Sequence, residues 1–159
     1  MLTEFRMYWR HYVFQSIAAT LTIFTLLLLV SIQEKPVIIA SIGATTFIVF
    51  AMPGYITAQP RNLIGGHLVG MFCGFGASNI PLEQLLPYHF SHSLLLALAV
   101  GVSIFIMVVT DTEHPPAAGT ALGVAIAGFS LKITMTILIS IAFLASVHAL
   151  FKHKLRDLT

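Results

Sequence analysis

The chain has 159 residues, 57% of them hydrophobic and only 9% charged, with a mean hydropathy of +0.93 and a formal net charge of +2. Soluble domains carry about 25% charged residues, so this composition excludes a water-soluble fold and predicts an all-α integral membrane protein with one domain over 1–159. The small net charge argues against a nucleic-acid partner, and the single cysteine, Cys73, excludes an internal disulfide and a cysteine-rich metal site.

Charges punctuate the sequence, and six segments without a formal charge lie between them. A hydrocarbon core takes about 20 apolar residues to cross, or about 17 at the short end. The predicted spans lie near 13–33, 36–53, 62–80, 92–110, 115–130 and 133–151. The second and fifth segments are short enough to be part-spanning, and the fifth has the smallest side chains. Residues 1–12 form an interfacial N-terminal segment in which Tyr8, Trp9 and Tyr12 make an aromatic belt. No cleavable signal peptide is predicted.

The turn Gln33-Glu34-Lys35-Pro36 leads into the second span, which carries the small, hydroxyl-bearing patch Ala40 to Thr46 and stops at Met52-Pro53-Gly54. Next comes Gln59-Pro60-Arg61-Asn62, where Asn62 is predicted to N-cap the third helix and leave Arg61 at its mouth. The third span carries Gly66, Gly70 and Gly74 at four-residue spacing, a stripe suited to close helix contact within the chain or in a homo-oligomer. His89 and His92 follow in an interfacial loop, and the sixth span ends at His148 before a basic tail over 152–159.

Lys and Arg set the orientation. With both termini cytoplasmic, Arg6, Arg10, Arg61, Lys152, Lys154 and Arg156 fall inside and only Lys35 and Lys132 outside. A cell inner (plasma) membrane is the expected location.

Asp111-Thr112-Glu113-His114-Pro115-Pro116 gathers most of the polarity in the middle of the chain. A double proline can begin a helix but not continue one, so residues 111–114 read as a capped entry into a helix from about Pro115. There is a weak internal repeat. Glu34-Lys35-Pro36 followed by Ala40-Ser41 aligns with Glu113-His114-Pro115 followed by Gly119-Thr120. Three spans per half makes this a 3+3 inverted repeat, whose sites lie where broken or short helices meet.

Two helix mouths therefore lie on one face, at Gln59–Asn62 and at Asp111–Pro116. Helix N-termini attract anions. The expected substrate-binding residues are Arg61, Asn62, His67, His114, Gln59, Thr45 and Thr120. In that reading Arg61 attracts, Asn62 and backbone N–H groups bind, and His67 and His114 donate or shuttle protons. Asp111 and Glu113 pair with Arg61 or cap the fifth helix, while Pro60, Pro115, Pro116, Gly66, Gly70 and Gly74 shape the path. No HExxH motif, nucleophile elbow or phosphate loop occurs, so neither an enzyme nor a metal or other cofactor is expected.

At these residues the chain resembles a family of integral membrane proteins named for a His-Pro-Pro motif, the HPP family. The motif is His114-Pro115-Pro116 followed by Ala117-Ala118-Gly119-Thr120-Ala121-Leu122. The likeness extends to Ser41-Ile42-Gly43-Ala44-Thr45, Phe50-Ala51-Met52-Pro53 and Ala58-Gln59-Pro60-Arg61-Asn62 with Gly65-Gly66-His67, and covers roughly residues 13–150. Some family members in cyanobacteria and plastids are nitrite transporters. The resemblance implies a carrier of a small monovalent inorganic anion, with nitrite as leading substrate. Family descriptions often count four spans. The alternatives are a non-transporting membrane scaffold, or a carrier of a cation or neutral solute that uses Asp111 and Glu113.

Overall fold

The apolar runs between the punctuating charges become six α-helices in the computed structural model, which describes residues 2–30 and 36–158, with side chains from residue 6 onward. They are α1 (Leu2–Leu29), α2 (Pro36–Ala51), α3 (Pro60–Ser78), α4 (Tyr88–Val109), α5 (Pro116–Ala127) and α6 (Leu131–Phe151). Short 3-10 turns at Ile56–Ala58 and Leu82–Gln84 lead into α3 and α4. Gln33, Glu34 and Lys35, expected to form the turn before α2, lie outside the described residues.

Among the described residues, four helices are long and apolar enough to cross a membrane: Arg6–Leu29, Pro60–Gln84, Tyr88–Val109 and Leu131–Phe151. The other two are short, with 16 residues in α2 and 12 in α5. At about 1.5 Å per residue they reach about 24 Å and about 18 Å, less than a core of about 30 Å. The expectation of six helices and the count of four spans are therefore compatible, because α2 and α5 are shorter than a full crossing. The N-terminal segment differs from expectation. It is continuous with the first span as one helix, broken only at Tyr8 (φ −120°, ψ 19°).

The short helices occupy the middle. α5 packs against α2, α3 and α4, and Ala117 and Ala121 on it are fully buried. Its side chains are small enough for three neighbours to reach its backbone. The glycine stripe of α3 faces it. A Cβ at Gly70 or Gly74 would collide with the carbonyl oxygen of Ala117 or Ala121, and one at Gly66 would lie 2.7 Å from His114 Cβ. The order 66, 70, 74 against 114, 117, 121 makes α3 and α5 parallel. The stripe is thus filled within the chain, the first of the two uses expected for it. Gly119 meets Ser41 and Gly123 meets Ile38, so α2 runs antiparallel to α5. α5 ends at Gly128, whose φ of +70° suits a residue without Cβ.

Most helix pairs in contact match a two-fold exchange of 1–3 with 4–6; the exception is α3–α4, whose counterpart α6–α1 is not closely packed among the described residues. α1–α2 answers α4–α5, α3–α5 answers α2–α6, and α2–α5 and α3–α6 answer themselves. Ser41 and Thr120, aligned in the sequence repeat, touch at 2.8 Å. Residues near such an axis meet their own counterparts.

The apolar core joins α2 to α1, α3, α5 and α6, with Leu26, Ile38, Val49, Leu63, Val124, Ile137 and Leu144 among its members. The C-terminal tail is tied back onto it. Leu158 N–H donates to Ala51 O (2.8 Å) and Gly54 N–H to Asp157 Oδ1 (2.8 Å). Buried Gln15 donates to the carbonyls of Phe50 and Arg156 and accepts from Arg156 N–H. The Arg156 guanidinium lies 3.7 Å from the Tyr8 ring centre, at the kink of α1.

Overpacking a close helix contact costs about 1–3 kcal/mol. Gly74→Val should lower unfolding stability in detergent by that order. Gly43→Ala and Gly76→Ala, at positions with open space, should stay within about 0.5 kcal/mol of the parent. Equal losses at all three positions would contradict the close α3–α5 packing.

Candidate functional site

α4 ends in a left-handed turn. Thr112 N–H donates to Met107 O (2.9 Å), Asp111 N–H reaches Val108 O (3.4 Å), and Asp111 has φ +51°. This is the Schellman arrangement, with Asp111 in the position usually held by glycine. Asp tolerates that conformation better than most residues. Asp111 thus ends α4, and its side chain is exposed.

The turn that follows is pinned to the start of α3. Asn62 Nδ2 donates to the carbonyls of Asp111 and Glu113 (3.4 Å each), and Arg61 Nη2 to Thr110 O (3.1 Å). The two mouths do lie side by side. Three details differ from expectation. Gln59 is the residue before the helix and Asn62 lies inside the first turn, so Asn62 acts across to the other mouth rather than capping its own. The Arg61 guanidinium bonds a carbonyl, not Asp111 or Glu113. Neither carboxylate caps α5, which has Pro115 at its cap position and no side-chain cap.

The double proline has a further consequence. Pro115 and Pro116 have no N–H, and the next two N–H groups are already bonded, Ala117 to His114 O (2.8 Å) and Ala118 to Pro115 O (3.1 Å). The first-turn N–H groups of α5 are therefore either missing or bonded, so the helix itself offers none of the backbone donors expected there for an anion. At α3, Pro60 likewise has no N–H, and the ladder begins with Leu63 N–H on Gln59 O (2.9 Å). The N–H groups of Arg61 and Asn62 precede it.

Behind the mouths lies a buried polar cluster. His67 on α3 and His114 before α5 are both fully buried, with ring centres 5.0 Å apart. Both reach one hydroxyl: Thr45 Oγ1 is 2.9 Å from His67 Nε2 and 2.9 Å from His114 Nε2. Thr45 lies on α2, so α2, α3 and the turn before α5 meet at one oxygen. Outward, His114 Nδ1 donates to Thr57 O (2.8 Å). Inward, His67 Nδ1 meets Thr120 Oγ1 (2.8 Å), which meets Ser41 Oγ (2.8 Å), and Ser41 Oγ also lies 2.6 Å from Pro116 O.

The structure thus unites Thr45, His67, His114 and Thr120 of the expected residues, and sets Arg61, Asn62 and Gln59 at the entrance. Arg61 is exposed, Asn62 buried and Gln59 half-buried. Ser41 and the Thr57 carbonyl were missed as members. The repeat alignment had pointed to Ser41, as partner of Thr120; nothing local in the sequence marks a backbone carbonyl. Two imidazolium charges 5.0 Å apart would repel by about 3 kcal/mol at an effective dielectric of about 20, so the pair is suited to at most one charge. Among the described residues, no group of three or more His, Cys, Asp or Glu side chains could hold a metal ion.

A polar cavity of about 340 Å³ opens at the far ends of α3 and α5, lined by Asn79, Glu83, His92 and Ala125 among others. The histidine cluster and this cavity therefore lie along the same pair of parallel helices.

The profile of the HPP transmembrane region matches residues 4–157, nearly the whole chain and both mouths. The chain belongs to the HPP family. It is a multi-pass membrane protein of that family, and its name-giving His-Pro-Pro residues are those whose imidazole and missing N–H groups shape the site. A transmembrane protein of Dictyostelium discoideum is 34% identical over 89 residues, 56% of this chain and 30% of the relative. The match thus spans about a third of that relative's length. No solved structure matches the HPP chain.

If Asp111 acts through its backbone, Asp111→Gly should retain or slightly raise stability, whereas Asp111→Val should cost about 1–2 kcal/mol, the price of a left-handed conformation in a β-branched residue. Thermal unfolding in detergent measures both. A large loss in Asp111→Gly would show that the carboxylate itself is needed.

Proposed function

We propose that this HPP protein carries a small monovalent inorganic anion across the cell inner membrane, with nitrite as the leading substrate. The observation that carries the reading is the buried His67–Thr45–His114 bridge directly behind the Arg61 and Asn62 entrance. Ionisable groups within a membrane are expensive, and they mark substrate, ion and proton pathways. The family resemblance supplies the substrate class.

In this mechanism Arg61 draws the anion to the mouth of α3. The N–H groups of Arg61 and Asn62 receive it there. The imidazole bridge lies next on the route toward the cavity at Asn79, Glu83 and His92. The fifth helix contributes no backbone donors and acts as the short, small wall along which the path runs. The exposed Asp111, committed to ending α4, offers little to a cation site, which weakens the alternative built on Asp111 and Glu113.

Reconstituted into liposomes, the protein should take up nitrite faster than protein-free vesicles, with nitrate, formate and bicarbonate as comparison anions. Arg61→Ala and His114→Ala should each lower that uptake at least about tenfold, the scale of a lost charge-assisted or buried hydrogen bond, while remaining monodisperse. Parent-like rates in both variants would remove the proposed site.

Orientation has a separate check. In a Cys73→Ser background, single cysteines at Lys35, Glu83 and Lys132 should react with an impermeant maleimide from outside intact cells. Reaction of any one only after permeabilisation would contradict cytoplasmic termini with six alternating segments.

A further inference from the structure

Seven polar contacts link the buried cluster into one chain: Ser41 to Pro116 O, Ser41 to Thr120, Thr120 to His67, His67 to Thr45, Thr45 to Ser41 O, Thr45 to His114, and His114 to Thr57 O. Each needs one proton. With both imidazoles neutral, only five are present, three on hydroxyls and one on each ring. Two contacts must go without, and one placement alone serves the lone pairs of both imidazoles.

A carbonyl can only accept, so His114 carries its proton on Nδ1, facing Thr57 O. Its Nε2 then has a lone pair and takes the Thr45 hydroxyl proton. Thr45 oxygen must accept from His67 Nε2–H. His67 Nδ1 is left to accept from Thr120, and Thr120 from Ser41. All five protons point one way, from Ser41 toward Thr57, and two contacts have none, that of Ser41 with Pro116 O and that of Thr45 with Ser41 O.

One added proton repairs this. Placed on His67 Nδ1, it donates to Thr120, which turns its own proton to Ser41, which turns to Pro116 O. Only the contact of Thr45 with Ser41 O then lacks a proton. Passing the charge to His114 keeps the same number of hydrogen bonds: the Nε2–H bond of His67 breaks as its proton joins Thr45 Oγ1, while the Thr45 proton moves to His114 Nε2. A second added proton would complete the last contact but would set two cations 5.0 Å apart in a low-dielectric interior.

We infer that the chain from Ser41 to Thr57 is a binding site for one proton, shared by His67 and His114 through the Thr45 hydroxyl, and that this proton accompanies the anion. Charge on the surrounding elements leaves the site to these two rings. α2 and α5 carry no charged residue, and α4 carries only His89 and His92, at its far end. Arg61, Asp111 and Glu113 are at the mouth, and on α6 His148 is engaged with Pro53 O (2.9 Å) while Lys132 lies in its first turn. The proton site rests on this geometry alone; its coupling to the anion rests also on the transport reading. One anion with one proton is a neutral cargo, which spares the bilayer crossing a net charge.

Two measurements keep those parts separate. In nitrogen-15 histidine spectra of the protein in nanodiscs, with His67→Gln and His114→Gln for assignment, alkaline conditions should show His114 protonated on Nδ1 and His67 on Nε2. Acidification from about pH 8 to about pH 5 should add one proton to the pair, with both rings responding together. Two independent titrations, or none, would overturn the proton site whether or not nitrite moves. Thr45→Val should uncouple the rings, and Thr45→Ser should keep them coupled.

In liposomes holding a pH dye, with the potential clamped by potassium and valinomycin, nitrite uptake above that of protein-free vesicles should acidify the interior by one proton per nitrite. It should rise as external pH falls. Thr45→Val should lower it at least about tenfold and Thr45→Ser should restore it. Uptake without acidification, or uptake driven by potential, would overturn the coupling. No uptake by the parent protein would instead remove the transport reading, and with it the coupling, while the spectra decide the proton site.

Discussion

One hydroxyl proton cannot serve two lone pairs, and the structure places two imidazoles on one hydroxyl. Thr45 Oγ1 lies 2.9 Å from His67 Nε2 and from His114 Nε2 with all three side chains fully buried. That arrangement requires the tautomers to be ordered along the chain, and it requires α2, α3 and the turn before α5 to stay within hydrogen-bond reach of one point. An unpaired polar group there costs about 1–3 kcal/mol. The rest of the molecule can be read as the means of meeting that demand. Glycines on α3 let α5 approach its backbone. Alanines and glycines on α5 let α2 approach from the other side. Asn62 ties the 111–113 turn to the first turn of α3, which sets the position of His114.

The His-Pro-Pro motif acquires a physical meaning in this setting. The histidine supplies the buried ring. The two prolines remove two N–H groups that would otherwise need partners, and the following two are satisfied by their own turn. The motif therefore allows a helix to begin inside a membrane protein without free backbone donors. Its role is that of a dry helix start with one polar side chain, rather than an anion cradle. The entrance with unspent N–H groups is at Arg61 and Asn62, and the two functions expected of one kind of feature are divided between the mouths.

Much of this was legible in the sequence where a strong local rule applied. Charge-free runs placed all six helices to within a few residues at most ends, because apolar length is what the bilayer demands. Pro115 and Pro116 marked the start of α5 to within one residue, since proline has few other places to go. The four-residue glycine spacing predicted a close contact, and the small residues of 117–125 were its other half. What the sequence did not reveal depends on tertiary placement. Asn62 has the composition of an N-cap, but the neighbouring turn offered it two carbonyls. Asp111 and Glu113 sit where salt bridges are usual, yet Asp111 was needed for a left-handed turn and Arg61 found a carbonyl. The tail read only as a basic segment, but Gln15, an unremarked polar residue in the first span, holds it by two hydrogen bonds to Arg156 and bonds Phe50 by a third. Thr57 contributes only its carbonyl, which no side-chain pattern can announce.

The central claim is that the two short helices cross antiparallel with Ser41 against Thr120, which is what encloses the histidine pair. Disulfide trapping tests it most directly. In a Cys73→Ser background, Ser41→Cys combined with Thr120→Cys should form an intramolecular disulfide under mild oxidation, since the native oxygens are 2.8 Å apart, and should change mobility on a non-reducing gel. Phe47→Cys combined with Thr120→Cys should not, because Phe47 faces outward from α2. Trapping of the second pair but not the first would place a different face of α2 against α5 and contradict the account.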